Sequence, residues 1–558
     1  MIRLLITISF IFGLFQVSTG QDLEEKVQFL TENTGTVKGK KRVYDQEFSQ
    51  STDHPYVVSV KITDTNSGNE IIKTVNTQDL NSSRVLFEPK KDIVQIIGQV
   101  KADKKLVKIV KDGQIQNYES KIIFYAAGIE EARALTDALK SLVEMADKKI
   151  EDEKSSGLNK QELLAYFEEA TGNVVINDEN YQQKFTYEED NSNIIGVEIE
   201  NVTKGIKEVF QVNAADLYHN RIDFGTKRNK VLIFLKTKAD SRLISYVKDG
   251  EIGSYVNGFE IFMQSIEVAR TYTSRLKEFV QISESEERTD FTSFSLNQCK
   301  DFLTQHIGKV VINQDAYEQS FTIDPENSLI FQIKSRDISK GEDLTYAVNA
   351  AYLHKGRTQF DTKRNAVLIE LRTDNDRKLI STKIGEDAAN YSNTVILRAQ
   401  DIEAARDISE VFTRMKELAR EEMDKQTAFS GIDQAERFIK ESVGKLVINT
   451  DTYLQSIKLD NENICLYNYE FTNVSKDVQY NYEFNCLDID VHKIQFNTKG
   501  NQAIVILEVR GRNKLIKTYK DGEMNKYVYQ FQILAQDIEQ ARILVSAFKL
   551  KTESCEKE

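Results

Sequence analysis

The sequence predicts an α+β fold: four tandem modules, each an antiparallel β-meander or partly open barrel of about seven strands with an opening helix and a closing C-terminal helix. Three observations carry this. Residue columns recur at a nearly constant interval, strand-like runs rich in Val, Ile, Phe and Tyr fill the middle of each repeat, and amphipathic helical segments bracket those runs. Self-similarity at a fixed period defines the fold unit before any local reading does.

The register of the repeat is close to constant. Gly35, Gly172, Gly308 and Gly444 lie 137, 136 and 136 residues apart. The same spacing holds for Tyr44, Tyr181, Tyr317 and Tyr453; for Asn76, Asn213, Asn349 and Asn485; and for Phe87, Phe224, Phe360 and Phe496. It holds again for Leu106, Leu243, Leu379 and Leu515; for Tyr118, Tyr255, Tyr391 and Tyr527; and for Arg133, Arg270, Arg406 and Arg542. The modules therefore run over 21–150, 158–282, 294–420 and 431–553, with short charged linkers around 151–157, 283–293 and 420–431.

Ahead of them, residues 1–20 have the pattern of a signal peptide: Arg3, an apolar stretch from Leu4 to Phe15, and small Ser18 and Gly20 before Gln21. That apolar stretch is shorter than the roughly 20 residues that span a bilayer. The expected location is secreted or extracytoplasmic, in a periplasm or outside the cell, with no membrane insertion once the peptide is cleaved.

Each module opens with an amphipathic segment such as Glu162–Phe167, followed by the glycine column in the position of a helix stop. Strand runs follow, among them Lys230–Leu235 and Arg242–Val247, with Asp249-Gly250 placed as a tight turn. The closing helix begins at Gly128, Ser265, Asp401 and Asp537, three of them good N-caps, with Glu130, Glu267, Glu403 and Glu539 in the first turn where the helix dipole favours an acid.

One hairpin is legible residue by residue. A two-residue turn at Ser475-Lys476 pairs residues whose numbers sum to 951, setting Tyr467 opposite Phe484, Tyr469 opposite Tyr482 and Phe471 opposite Tyr480, with Asn468, Glu470, Asn481 and Glu483 on the other face. The same register sets Cys465 opposite Cys486 as a non-hydrogen-bonded pair, about 4.5 Å apart at Cα, which a disulfide accepts. Export supplies an oxidising compartment, so this bridge is expected, while Cys299 and Cys555 have no evident partner. The alternative is that Cys465 and Cys486 are two small buried apolar side chains.

No chemistry-bearing motif stands out. The five histidines share no column and no ligand spacing, and there is no phosphate loop, no nucleophile turn and no Cys with a recognisable His partner. The sequence therefore nominates no catalytic, cofactor-binding or metal-ligating residue, and an enzyme is not the first expectation. A net charge of -13 with a pI near 5.3 excludes nucleic acid as the main partner. The asparagine column reads as turn-forming, and the arginine column as snorkelling or meeting a carboxylate. Sequons at Asn81, Asn201, Asn390 and Asn473 would be glycosylated in a eukaryotic host, and the pair at the hairpin turn, Asn201 and Asn473, is expected to be exposed.

The order of strands and closing helix, clearest from Phe224 to Val280, resembles the pleckstrin-homology-like superfold. The resemblance implies a binding or scaffolding module. It does not extend to phosphoinositide binding, because the loops matching that family's basic loop are acidic: Tyr187–Asn191, Asp324–Asn327 and Asp460–Asn463. The extra opening helix also departs from the family pattern. The expected function is an exported, non-enzymatic, multi-module binding or scaffold protein whose partner is an unknown protein or small ligand. Two alternatives remain open: a carrier burying a small apolar ligand between sheet and helix of each module, and an enzyme with one active module. Oligomeric state is not legible.

Overall fold

The computed structural model describes residues 22–150, 156–286, 288–354, 356, 359–426 and 429–557, so the segment read as a signal peptide lies outside the described residues. The chain divides between Glu286 and Glu287 into two compact units, each containing two repeats. The architecture is α+β, with a pair of antiparallel sheets in every repeat.

The second repeat shows the plan. Its opening helix, Lys160–Ala170, is fixed by a capping box in which the Asn159 side chain accepts from the Glu162 amide and Glu162 reaches back to the Asn159 N–H. A six-stranded sheet follows in the spatial order Val174–Ile176, Glu179–Tyr187, Ile194–Asn201, Ile206–Asn213, Ser245–Lys248, Glu251–Ile252. Asp223–Lys227, Lys230–Lys236 and Gly258–Met263 form a separate three-stranded sheet. The repeat thus has nine strands where about seven are expected. The surplus comes from pieces of two and three residues at the sheet edges, too short to display a hydrophobic period. Nor is the path a simple meander: the chain leaves the large sheet after its fourth strand, returns for two strands, and leaves again for the last.

Both sheets turn one face to a shared core and the closing helix covers it. Gly258–Met263 alternates half-buried and buried residues, as a one-sided strand must. Between sheet and helix, Phe167 packs against Phe185 at 5.3 Å, Tyr272 at 4.9 Å and Phe279 at 5.7 Å between ring centroids, and the Tyr272 hydroxyl meets the Thr171 hydroxyl at 2.9 Å. The closing helices start where the sequence places them. Ser265 accepts from the Val268 amide, Asp401 from Ala404 and Asp537 from Gln540. The third closing helix, Ile402–Gln426, runs into the stretch read as a linker.

A buried glutamine column ties the two sheets together. Gln183 donates to the Gly172 and Phe262 carbonyls at 3.2 and 2.8 Å and accepts from the Phe262 amide at 2.9 Å. Gln46, Gln319 and Gln455 make the same three bonds to Gly35 and Tyr125, Gly308 and Arg398, and Gly444 and Leu534. The glycine column is thus the acceptor of this clamp. Its residues do not have the positive φ of a left-handed helix stop.

The fourth repeat confirms the hairpin register: Tyr467 faces Phe484, Tyr469 faces Tyr482 and Phe471 faces Tyr480. The expected Cys465–Cys486 bridge is overturned. The structure joins Cys465 to Cys555 and leaves Cys486 a buried free thiol, pushed up to about 12 by burial. The connection spans four residues, not two, because Asn473 pairs with Val478 around a short 3-10 turn. That shifts the ladder parity without changing the sum. The Cys486 amide now donates to the Cys465 carbonyl at 2.8 Å, and in a hydrogen-bonded pair the side chains stand further apart. The closing helix Ile538–Cys555 instead brings Cys555 over Cys465, at a Cα separation of 6.0 Å.

Candidate binding surfaces

The repeated polar columns serve two structural purposes. Each asparagine caps a 3-10 turn: Asn76, Asn213, Asn349 and Asn485 accept from the amide two residues on. In two of them the amide group then reaches the following module, where the arginine column also lies.

Two joints are built alike. In the first unit, Asn76 donates to Glu267 at 2.8 Å and Arg270 meets both Asp79 oxygens at 2.7 and 2.6 Å. Lys104 reaches Asp223 at 2.7 Å and lies over the Phe224 ring, and the Tyr118 amide donates to the Arg228 carbonyl at 3.1 Å. The Asn177 side chain pairs with both backbone groups of Ile115, at 3.1 and 3.2 Å. In the second unit, Asn349 donates to Glu539, Arg377 stacks on Phe496, the Tyr391 amide donates to the Gly500 carbonyl, and Asn449 pairs with Ala388. Tyr352 replaces Asp79, and its hydroxyl is held well above the usual tyrosine range by burial and the nearby Glu539. Burial likewise pushes Tyr118 and Tyr391 up to about 12.

Local backbone explains why these residues reach across. Ala102 and Asp103, and Asn375 and Asp376, adopt left-handed φ values of 52° to 54°, swinging Lys104 and Arg377 toward the next module. Asn177 and Asn449 hold φ 53° at the tip of a short hairpin, a conformation Asn tolerates.

Three surface features remain. The first strand of the large sheet is an edge strand, and at its middle Val175, Val311 and Val447 are exposed in three repeats. The first repeat instead has a basic hairpin, Lys40, Lys41 and Arg42, beside Lys90 and Lys91. These line a cleft of about 750 Å³ with the stacked pair Tyr44 and Tyr125 at 4.5 Å. Asp92 sits inside it, its carboxyl lowered chiefly by the backbone amide of Lys40. The third feature is the sequon set. Asn390 is exposed, but Asn473 is buried, its side chain held by the Lys476 amide, so the expected exposure of that site fails. Asn201 makes the same bond to Lys204 and is half-buried.

Among the described residues no group of three or more His, Cys, Asp or Glu is arranged to hold a metal, and no helix is long and apolar enough to cross a membrane. No family model matches the chain, and no curated protein is found to be similar to it.

Proposed function

We propose that this is an exported, non-enzymatic binding or scaffold protein whose modules present repeated surface sites to a partner. The observation that carries this reading is the exposed valine at the same edge-strand position in three repeats, Val175, Val311 and Val447, beside unpaired strand edges that a partner segment can extend. Individually such sites are weak, and four linked modules convert weak sites into avidity. The fate of the repeated polar columns supports the same view: glutamine, asparagine and arginine are engaged in clamps, caps and joints. A resemblance of each sheet pair and closing helix to pleckstrin-homology-like modules is part of this proposal.

The carrier alternative asks for room between sheet and helix, where Phe167, Phe185, Tyr272 and Phe279 already interlock. Native mass spectrometry of the exported protein tests the choice. The scaffold reading expects only masses that the chain and its glycans account for, singly or in whole multiples. An apolar molecule released by organic solvent, in stoichiometry with the modules, would sink it.

A further inference from the structure

The two joints and the two terminal repeats use the same columns in opposite states. On the donating side, Leu106 and Leu379 are each 3% exposed and Tyr118 and Tyr391 are 5% and 9%, whereas Leu515 and Tyr527 of the fourth repeat are both 49% exposed. On the receiving side, Ile266 and Ile538 are 9% and 7% exposed, whereas Ile129 of the first repeat is 48%. The Arg133 side chain is 55% exposed against 28% and 11% for Arg270 and Arg542. The fourth repeat therefore carries an unfilled donating face and the first an unfilled receiving face.

We propose that the occupant of each face is a second copy of this chain, the fourth repeat of one molecule seating on the first repeat of the next. The polar complement is present. Asn485 stands where Asn76 and Asn349 stand, for Glu130, and Asp488 stands where Asp79 stands, for Arg133. Lys91 has φ 61°, matching Arg228 at 60° and Gly500 at 62°, so its carbonyl is presented as theirs are to the joint tyrosine amide. The receiving hairpin differs in backbone and in charge: its tip lacks the positive φ of Asn177 and Asn449, and the Lys40 amide donates to Asp92. Lys40 replaces Asn177 and Asn449, and the position it meets is Met524, which follows Glu523 and lies three residues after Asp521, so an ionic contact takes over from an amide one. Pro89 in place of Thr226, and Asn513 in place of Lys104, remove one hydrogen bond and one ion pair from this joint, making it weaker than the internal ones. A contact between unlike faces propagates head to tail and does not stop at a two-fold dimer unless a ring closes.

Sedimentation velocity on the full mature chain across a concentration series tests this. The expected result is a mass that grows past twice the single-chain value. Leu515→Asp or Arg133→Glu alone should hold the protein at one chain with its melting temperature unchanged. Mixing the two variants should give a dimer and nothing larger, because one intact donating face then meets one intact receiving face. Arg133→Glu combined with Asp488→Arg in one chain should restore growth. A single-chain mass at every concentration overturns the proposal, as does assembly that Arg133→Glu leaves intact. The inference extends the scaffold reading to a named partner. A single-chain result removes self-assembly alone, since cargo mass decides the scaffold reading separately.

Discussion

Gln183 illustrates how much can rest on one side chain. Replacing it with Leu leaves the Phe262 amide and two carbonyls without partners at the junction of the sheets. The expected loss is about 1–3 kcal/mol in the second repeat, read as faster hydrogen exchange at the Phe262 amide. Cys555→Ser opens a link between positions 90 residues apart and should cost the second unit about 2–4 kcal/mol. Peptide mapping should find Cys465 linked to Cys555 and Cys486 alkylated only after unfolding. Asp407 supplies a pH signature. Burial first, then the charges of Glu403 and Glu410, raise its carboxyl from 3.8 to about 6. The folded state holds this proton more tightly than the unfolded chain, so stability falls as pH rises between those values and the cost is complete above them. Asp407→Asn should therefore stabilise by about 1 kcal/mol at neutral pH, a value discounted for its half-exposed position, with the gain vanishing below about pH 4 in a urea-unfolding series.

At the scale of elements, the sequence revealed what has a long period and hid what depends on a short loop. The closing helices were legible because their caps and first-turn acids recur with the repeat, and the Asp249-Gly250 turn because both residues need positive φ, which they have at 50° and 87°. The hairpin register is legible although its loop has four residues and not two: two residues added symmetrically to a connection preserve the pairing sum and alter only the parity. That parity decided the cysteines. The glutamine clamp keeps the repeat spacing but a glutamine on a strand carries no signal of burial, and the joints bring together residues far apart in sequence, such as Asn76 and Glu267, 191 residues apart. The joint itself can be measured. A double-mutant cycle with Asp79→Ala and Arg270→Ala should show a coupling of about 1.5–3 kcal/mol in the first unit, because the Asp79 side chain is only 8% exposed and meets the guanidinium through both oxygens. A coupling near zero would mean that packing of Leu106 and Tyr118 holds the joint without the ion pair.

The whole chain is best understood as two folding units, each stabilised from within. The first unit's core cluster spans both of its repeats, and the second unit's core takes in Tyr352, Leu379 and Tyr391 of the third repeat together with the fourth. Module boundaries seen in the repeat are therefore not the boundaries of independent stability, since a single repeat cut from its partner would expose the leucine and tyrosine columns at the joint. Expressed separately, 22–286 and 288–557 should each fold and unfold cooperatively, while 22–150 alone should melt lower and bind a hydrophobic dye through Leu106 and Tyr118. All four cysteines lie in the second unit. Reducing agent should accordingly lower the melting temperature of 288–557 and leave that of 22–286 unchanged. If 22–150 proved as stable as 22–286, the joint would be a contact between finished domains, and the buried columns at Leu106 and Tyr118 would owe their low exposure to proximity without contributing to the fold.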